Sequence, residues 1–140
     1  MANEENKAVV QRFWDEWNKG NLEAMTALIS DDGVDHSLPP GFTGNKEGIT
    51  KVISMYLQAF PDGKVTVEDL IAEGDKVVCR LSLKGTNTGS LMGMPATGKS
   101  ANMTSIHLFR VKNGKLVERW ANQDDLGMMQ QLGVIPTPGQ

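Results

Sequence analysis

The sequence predicts an α+β fold: a cone-shaped, curved antiparallel sheet with three N-terminal helices that cover a central pocket. Three observations support this prediction. Apolar residues recur at helical spacing in the first part of the chain, they then alternate with polar residues as in strands, and Asn113-Gly114 marks a tight hairpin. Helices followed by long antiparallel strands favour one layered unit, and 140 residues suit a single domain over residues 1–140.

The N-terminal part contains three apolar stripes at spacings of three and four residues. Residues 5–19 form the first predicted helix, which Gly20 ends, and residues 22–29 form a short second one. The segment VDHSLPP is extended and broken by its prolines. Either Thr43 or Asn45 is the expected N-cap of the third helix, whose stripe runs from Ile49 to Phe60.

Alternation with a period of two begins after the turn PDG at residues 61–63. The run KVTVEDLIAEGDKVVCRLSLKGTNTG predicts two strands joined at residues 73–75, and LMGMPATGKS predicts a loop. The run ANMTSIHLFRVKNGKLVERWANQ predicts a hairpin, because Asn-Gly is the strongest short hairpin signal. The last run, DLGMMQQLGVIP, predicts a short closing helix or turn.

Charge and composition exclude several classes of protein. A net charge of −3 and a pI near 5.3 argue against a nucleic-acid partner. The N-terminus lacks the basic and apolar pattern of a signal peptide, and no segment reads as a membrane span, so a cytoplasmic protein is expected. The single cysteine, Cys79, lies in an apolar run and is expected to be buried. The two histidines lack metal-ligand spacing, so no metal is expected.

The last predicted strand carries a Trp, an amide and a carboxylate at alternate positions. Alternation therefore puts Trp120, Asn122 and Asp124 on one face, a plausible pocket wall. A carboxylate desolvated there would have a raised pKa suited to proton exchange. The alternative for Asp124 is a helix cap, while Asp125 is expected to be the cap or a solvated acid.

Three further polar side chains are candidates for the pocket. His107 shares a strand face with Ser105. If this face lines the cavity, His107 could act beside Asp124 as an acid/base or as a donor to an oxyanion. The alternative is a position on the outer face of the sheet. Arg80 either binds an anionic or carbonyl oxygen on the cavity side or lies on a solvated surface. His36 is expected at the cavity mouth, the alternative being a loop histidine bound to a backbone carbonyl.

The apolar wall of the pocket is predicted from aromatic and methionine residues. Eight Met residues in this chain is a high number, and methionine adapts to flat, bulky, apolar ligands. Filling of gaps in the core is the alternative for each of them. The apolar residues expected to contact a small apolar ligand are Trp14, Trp17, Met55 and Met103.

Three segments, GSLMGMPATGKS, HLFRVKNGKLVERW and DDLGMMQQLGVIP, together resemble the SnoaL-like polyketide (ester) cyclase family of the nuclear-transport-factor-two-like superfamily. The resemblance spans nearly the whole chain. It implies a cofactor-free enzyme that closes a ring by intramolecular aldol condensation, with an Asp four residues after the hairpin Trp as general acid/base. That position is Asp124. Where the family tends to have a histidine, this chain has Asn87, a candidate substrate contact whose amide does not exchange protons near neutral pH.

The fold supports many activities, so alternatives stay open. We predict an acid/base enzyme for an apolar cyclic carbonyl compound, in which Asp124 removes a proton and His107 or Arg80 holds the oxyanion. The alternatives are a non-catalytic small-ligand binder, a steroid-isomerase-like enzyme that would need Tyr56, and an epoxide hydrolase with two carboxylates beside an Arg. The resemblance also implies a homodimer.

Overall fold

The computed structural model describes residues 2–139, and these form four helices and five strands. The strand order in the sheet is β1-β5-β4-β3-β2. In chain order the elements are α1 (Ala2–Asn18), α2 (Leu22–Ala27), β1 (Ile29–Asp35), α3 (Lys46–Ala59), β2 (Lys64–Glu73), β3 (Lys76–Thr86), β4 (Ser100–Lys112), β5 (Lys115–Gln123) and α4 (Asp125–Gln131).

The α+β class with N-terminal helices packed on a curved sheet is confirmed. The prediction of a purely antiparallel sheet is wrong in one respect, because β1 pairs parallel to β5 while the other neighbours are antiparallel. A parallel pair needs a long connection between its strands. Here α3 and the strands β2 to β4 supply it.

The helix ends follow local capping chemistry. Asn45 caps α3 by accepting a hydrogen bond from the Gly48 amide at 3.0 Å, as one of the two expected caps. The second helix ends earlier than predicted, at Ala27. Ile29 instead begins β1, where it pairs with Leu116 and is buried against the helices.

The core lies between α1, α3 and the inner face of the sheet. Both helices present the apolar stripes that their spacing predicted. The buried apolar residues include Val10, Phe13, Trp14 and Trp17 of α1, Val52, Ile53 and Tyr56 of α3, and Val77, Cys79, Leu81, Met103 and Phe109 of the sheet. Within residues 2–139, no helix has the length and apolar character required to span a lipid bilayer.

A β-bulge interrupts the hairpin of β4 and β5 just beyond its Asn-Gly turn. Val111 pairs with Leu116, but the next pair is Arg110 with Glu118, so Val117 is an extra residue on β5. Such a bulge reverses the alternation of every later side chain on its strand. The bulge therefore decides which residues of β5 face the helices.

Beyond the bulge, Ala121 lies opposite His107 and Gln123 lies opposite Ser105. Residues paired across an antiparallel ladder share a face, and His107 and Ser105 are both buried on the inner face. The inner set on β5 is therefore Arg119, Ala121 and Gln123, and the outer set is Glu118, Trp120 and Asn122.

Candidate functional site

A cavity lies between the inner face of the sheet and the helices α1 and α3. Its empty volume is about 900 Å³, a figure that includes the solvent at its open mouth. Most of the wall is apolar, as in most small-molecule sites. The apolar lining includes Phe13, Trp14, Trp17, Ile49, Val52, Ile53, Leu81, Leu83, Met103 and Phe109.

Four polar side chains form a hydrogen-bonded row on one side of this cavity. Arg119 Nε donates to Asp35 Oδ2 at 2.6 Å, and Arg119 Nη1 donates to His107 Nδ1 at 2.8 Å. The other ring nitrogen, His107 Nε2, lies 3.0 Å from Ser105 Oγ. All four residues line the cavity. The row therefore brings a carboxylate, a guanidinium, an imidazole and a hydroxyl to one wall.

The charges of Asp35 and Arg119 compensate one another. The Asp35 side chain is 1% exposed and that of Arg119 is 18% exposed. The second oxygen of Asp35, Oδ1, accepts a hydrogen bond from the Ser37 amide at 2.9 Å. A buried carboxylate is stable when it is paired and hydrogen-bonded in this way.

His107 is neutral in this environment. Burial, followed by the positive charge of Arg119, lowers its pKa to about 3. Because a guanidinium only donates hydrogen bonds, Nδ1 is the acceptor of the Arg119 bond and Nε2 carries the ring hydrogen. The imidazole is thus uncharged at neutral pH. Its one free lone pair, on Nδ1, already accepts the hydrogen bond from Arg119.

A second polar group lies at the α3 side of the cavity. Tyr56 is 7% exposed, and burial, reinforced by the charge of Asp125, raises the pKa of its hydroxyl. The phenol is therefore neutral near pH 7 and able to donate a hydrogen bond. Burial and the charge of Asp124 also raise the pKa of Asp125. Gln123 completes this side of the lining.

Four of the residues predicted to form the site line the cavity. These residues are His107, Trp14, Trp17 and Met103. The edge of the Trp14 indole packs against the His107 ring, with 5.1 Å between ring centroids. The structure therefore places the histidine in a pocket wall, while its chemical role stays a prediction.

The prediction that Asp124 enters the pocket is wrong. Its side chain is exposed and caps α4, accepting a hydrogen bond from the Gly127 amide at 2.9 Å. Asp124 thus has the capping role expected for Asp125, while Asp125, the first residue of α4, is also exposed, as expected for a solvated acid. Trp120 and Asn122, predicted on the pocket wall, also face outward, because the bulge at Val117 reverses the alternation.

Arg80 and His36 also lie outside the cavity, contrary to the pocket positions proposed for them. Arg80 is on the outer face of β3 and donates to Asp69 Oδ2 at 2.6 Å. His36 stacks on Trp120, with 4.9 Å between ring centroids, and its Nε2 lies 2.7 Å from Glu118 Oε2. Both side chains belong to the solvated outer surface, which was the alternative for Arg80.

Asn87 and Met55 have structural positions rather than cavity positions. Asn87 is 2% exposed and fixes the loop between β3 and β4: its Oδ1 accepts from the Thr97 amide at 2.9 Å, and its Nδ2 donates to the Gly89 carbonyl at 2.8 Å. Gly89 packs so closely that a Cβ there would lie 2.1 Å from the Gln58 carbonyl oxygen. Met55 is half-buried against the core. The prediction that these two contact a ligand finds no support in their placement.

Arg119, Gln123 and Asp35 line the cavity, and the sequence analysis did not name them as cavity residues. The predicted alternation along β5 was shifted by one residue, which explains why Arg119 and Gln123 were missed. Tyr56 lies in the apolar stripe predicted for the third helix, and that stripe faces the cavity. The sequence signal available for the cavity was the acid Asp35 next to a proline-broken segment.

The structure also bears on the alternative activities. An epoxide hydrolase of the expected kind needs two carboxylates beside its arginine. Among residues 2–139, Arg119 has one, Asp35. In the same part of the chain, no group of three or more His, Cys, Asp or Glu side chains is arranged to hold a metal ion. Tyr56 and Asp35 both line the cavity, so an enzyme that transfers protons, such as an isomerase, stays an alternative.

Comparison with known proteins places this architecture in one family. The model of the SnoaL-like polyketide cyclase family matches residues 7–132. The aklanonic acid methyl ester cyclase DnrD of Streptomyces peucetius is 30% identical over 138 residues, which cover 93% of this chain and 92% of DnrD.

Solved structures agree with this assignment. TsrD from Streptomyces laurentii superposes with a TM-score of 0.84 at 25% identity, covering 94% of this chain and 96% of TsrD. IdmH from Streptomyces antibioticus is 33% identical with a TM-score of 0.78, covering 91% of this chain and 98% of IdmH. The chain described here belongs to the SnoaL-like polyketide cyclase family.

Proposed function

We propose that this chain is an enzyme that closes a ring in a polyketide-like ester by an intramolecular aldol reaction in the cavity. Family membership and the cyclase DnrD support the reaction class. The observation that carries the proposal is the buried Asp35–Arg119 pair, which lies on the polar wall of an otherwise apolar cavity. A carboxylate and a cation in one largely buried site are the parts that enolate chemistry needs.

Arg119 is proposed to hold the enolate oxygen. A guanidinium has five N–H groups, and Asp35 and His107 engage two of them within the described residues. The remaining N–H groups can donate to a substrate carbonyl. A preformed cation in an apolar site stabilises a developing oxyanion without reorganisation of solvent.

Asp35 is proposed to act as the base. It would take the proton from the carbon next to a substrate carbonyl, and the resulting enolate would attack the second carbonyl to form the ring C–C bond. The alkoxide formed there then takes the proton back from Asp35. While Asp35 is protonated, the enolate replaces it as the anion beside Arg119, so the net charge of the buried site stays constant.

Tyr56 of α3 supplies a neutral donor in the same cavity. Its hydroxyl stays protonated because burial raises its pKa. A phenol there can donate to the second carbonyl oxygen, where negative charge appears when the C–C bond forms. The apolar lining excludes water, which strengthens each of these interactions.

The experiment compares two ion pairs of the same chemistry on the two faces of the sheet. Purified protein is incubated with aklanonic acid methyl ester, and the cyclised product is separated by chiral chromatography. Asp35→Asn and Arg119→Lys are expected to reduce kcat at least a hundredfold. The matched variants Asp69→Asn and Arg80→Lys, which alter the exposed pair at 2.6 Å, are expected to stay within about twofold of the wild-type rate.

A non-catalytic binder is the second candidate. Its support is that both Asp35 oxygens already accept hydrogen bonds and that His107 is neutral with its lone pair engaged. In that case the ester would quench the fluorescence of Trp14 and Trp17, which line the cavity, and no product would form. Product formation that depends on Asp35 excludes the binder.

A further inference from the structure

The geometry points to Ser105 as a hydrogen-bond donor to an ester or ketone oxygen of the substrate, with His107 as the residue that positions its hydroxyl. The inference deepens the proposed function and rests on it for the identity of the bound molecule. It assigns His107 a role other than acid/base catalysis. It also adds a specificity-determining hydroxyl that the strand pattern alone does not single out.

The direction of the hydrogen bonds follows from the chemistry of the donors. Arg119 Nη1 can only donate, so His107 Nδ1 accepts at 2.8 Å and the ring hydrogen is on Nε2. Nε2–H then donates to Ser105 Oγ, 3.0 Å away. Because Oγ accepts this bond, the hydrogen of the Ser105 hydroxyl is directed to another acceptor.

The cavity is the place for that acceptor. Ser105 is 7% exposed and belongs to the cavity lining. Its side chain has His107 as its sole hydrogen-bond partner among residues 2–139. The register places Leu81 on one flank and Gln123 on the other. A substrate oxygen would therefore satisfy a buried hydroxyl in a largely apolar cavity.

The groups that surround the ring keep this arrangement fixed. Trp14 of α1 packs on the ring by its edge, Cys79 of β3 is its register neighbour, and Arg119 of β5 holds Nδ1. Asp35 of β1 reaches the ring only through Arg119. Each bond of such a chain polarises the next, so the Arg119 charge makes Ser105 a stronger donor without any proton transfer.

Nitrogen-15 NMR of the full-length protein tests the direction of the bonds without a substrate. Spectra of the ring nitrogens of His107 are expected to show hydrogen on Nε2 and a bare Nδ1 from pH 5 to 8. The variant Arg119→Met removes the donor, so the ring is expected to titrate at a higher pH than in the wild type. A wild-type ring with hydrogen on Nδ1 overturns the inference, because Ser105 would then have to donate to the ring.

Turnover of the same ester tests the donor role of the hydroxyl. Ser105→Ala is expected to lower kcat/KM about tenfold, the effect of one lost hydrogen bond, and Ser105→Thr is expected to restore most of it. Thr104→Ala, on the exposed face beside it, is the matched control and is expected to change nothing. Equal kcat/KM for the wild type and Ser105→Ala overturns the inference.

Two His107 variants separate positioning from acid/base catalysis. A Gln amide can accept from Arg119 and donate to Ser105, whereas a Phe ring can do neither. His107→Gln is therefore expected to retain at least tenfold more activity than His107→Phe, and its pH profile is expected to match that of the wild type. Equal loss in both variants overturns the positioning role.

The results also distinguish this inference from the proposed function. A wild-type protein that neither binds nor converts the ester contradicts the proposed function. The nitrogen spectrum still decides the inference in that case. Hydrogen on Nε2 supports it, and hydrogen on Nδ1 overturns it.

Discussion

Asp35 Oδ2 accepts a hydrogen bond from Arg119 Nε at 2.6 Å inside the cavity, where the Asp35 side chain is almost fully buried. Asp69 and Arg80 form a pair of the same length on the outer face, where both side chains are about half exposed. The sheet thus carries two ion pairs of equal Nε–Oδ2 distance that differ in their access to water.

The two pairs are expected to differ in their effect on stability. Asp35→Asn leaves the buried charge of Arg119 without its partner and is expected to lower the free energy of unfolding by about 3 kcal/mol. Asp69→Asn is expected to change it by less than ~1 kcal/mol, because water screens the outer pair. Urea unfolding monitored by Trp fluorescence measures both. Equal effects would mean that water reaches the cavity pair as freely as the outer one.

Stability is expected to depend on pH through His107. Its folded-state pKa of about 3 lies below the value of 6.5 for a free histidine. Between these values the unfolded chain binds a proton that the folded chain rejects, so stability falls as the pH drops through that window. The slope is at most ~1.4 kcal/mol per pH unit.

Thermal unfolding of three proteins from pH 4 to 7 measures this dependence. His107→Gln is expected to flatten the curve relative to the wild type. His36→Gln, which changes the exposed histidine on the outer face, is expected to retain the part of the slope that His107 causes. A His107→Gln curve as steep as that of the wild type would show that the imidazole is not held neutral.

Asp124 is expected to act on stability and not on turnover. Asp124→Ala removes the cap of α4 and is expected to lower the free energy of unfolding by about 1 kcal/mol. Asp124→Asn keeps a capping oxygen and is expected to lower the free energy of unfolding by only a few tenths of that amount. Gly127→Ala should resemble Asp124→Ala, since its Cβ would lie within 2.2 Å of Asp124 Oδ2. Loss of turnover in a stable Asp124→Asn variant would restore the catalytic role implied by the family resemblance.

The Cys79 thiol is expected to resist modification in the folded protein. It is fully buried, and burial raises its pKa to about 11. The thiolate is the reactive form, so a disulfide reagent such as Ellman's reagent should react only as the protein unfolds. Matching rates of labelling and unfolding in moderate urea would confirm this. Fast labelling without denaturant would contradict it.

Local patterns in the sequence were sufficient for the helices and for the hairpin. The stripe of α3 follows from its spacing and is confirmed, and of the two expected caps the structure shows Asn45. Asn113 and Gly114 have φ values of 52° and 75°, the left-handed backbone that a tight hairpin turn requires. Such features depend on neighbours in the chain.

The candidate site depended on a feature with no local signature. Strict alternation from the buried Leu116 would turn Trp120, Asn122 and Asp124 inward, but the extra residue Val117 exchanges the two faces. A bulge reflects how the whole sheet curves around its core, and a single strand does not reveal it. The inner face, one of the two positions left open for His107, agrees with plain alternation because β4 has no such interruption where it pairs with β3.

A crystal structure of the Asp35→Asn variant with the same ester tests the central claim most directly, since slow turnover would retain the substrate. The account predicts the ester in the cavity, with a carbonyl oxygen within ~3.2 Å of a guanidinium nitrogen of Arg119. An ester bound on the outer face near Trp120, or in the cavity with no oxygen near Arg119, would contradict it.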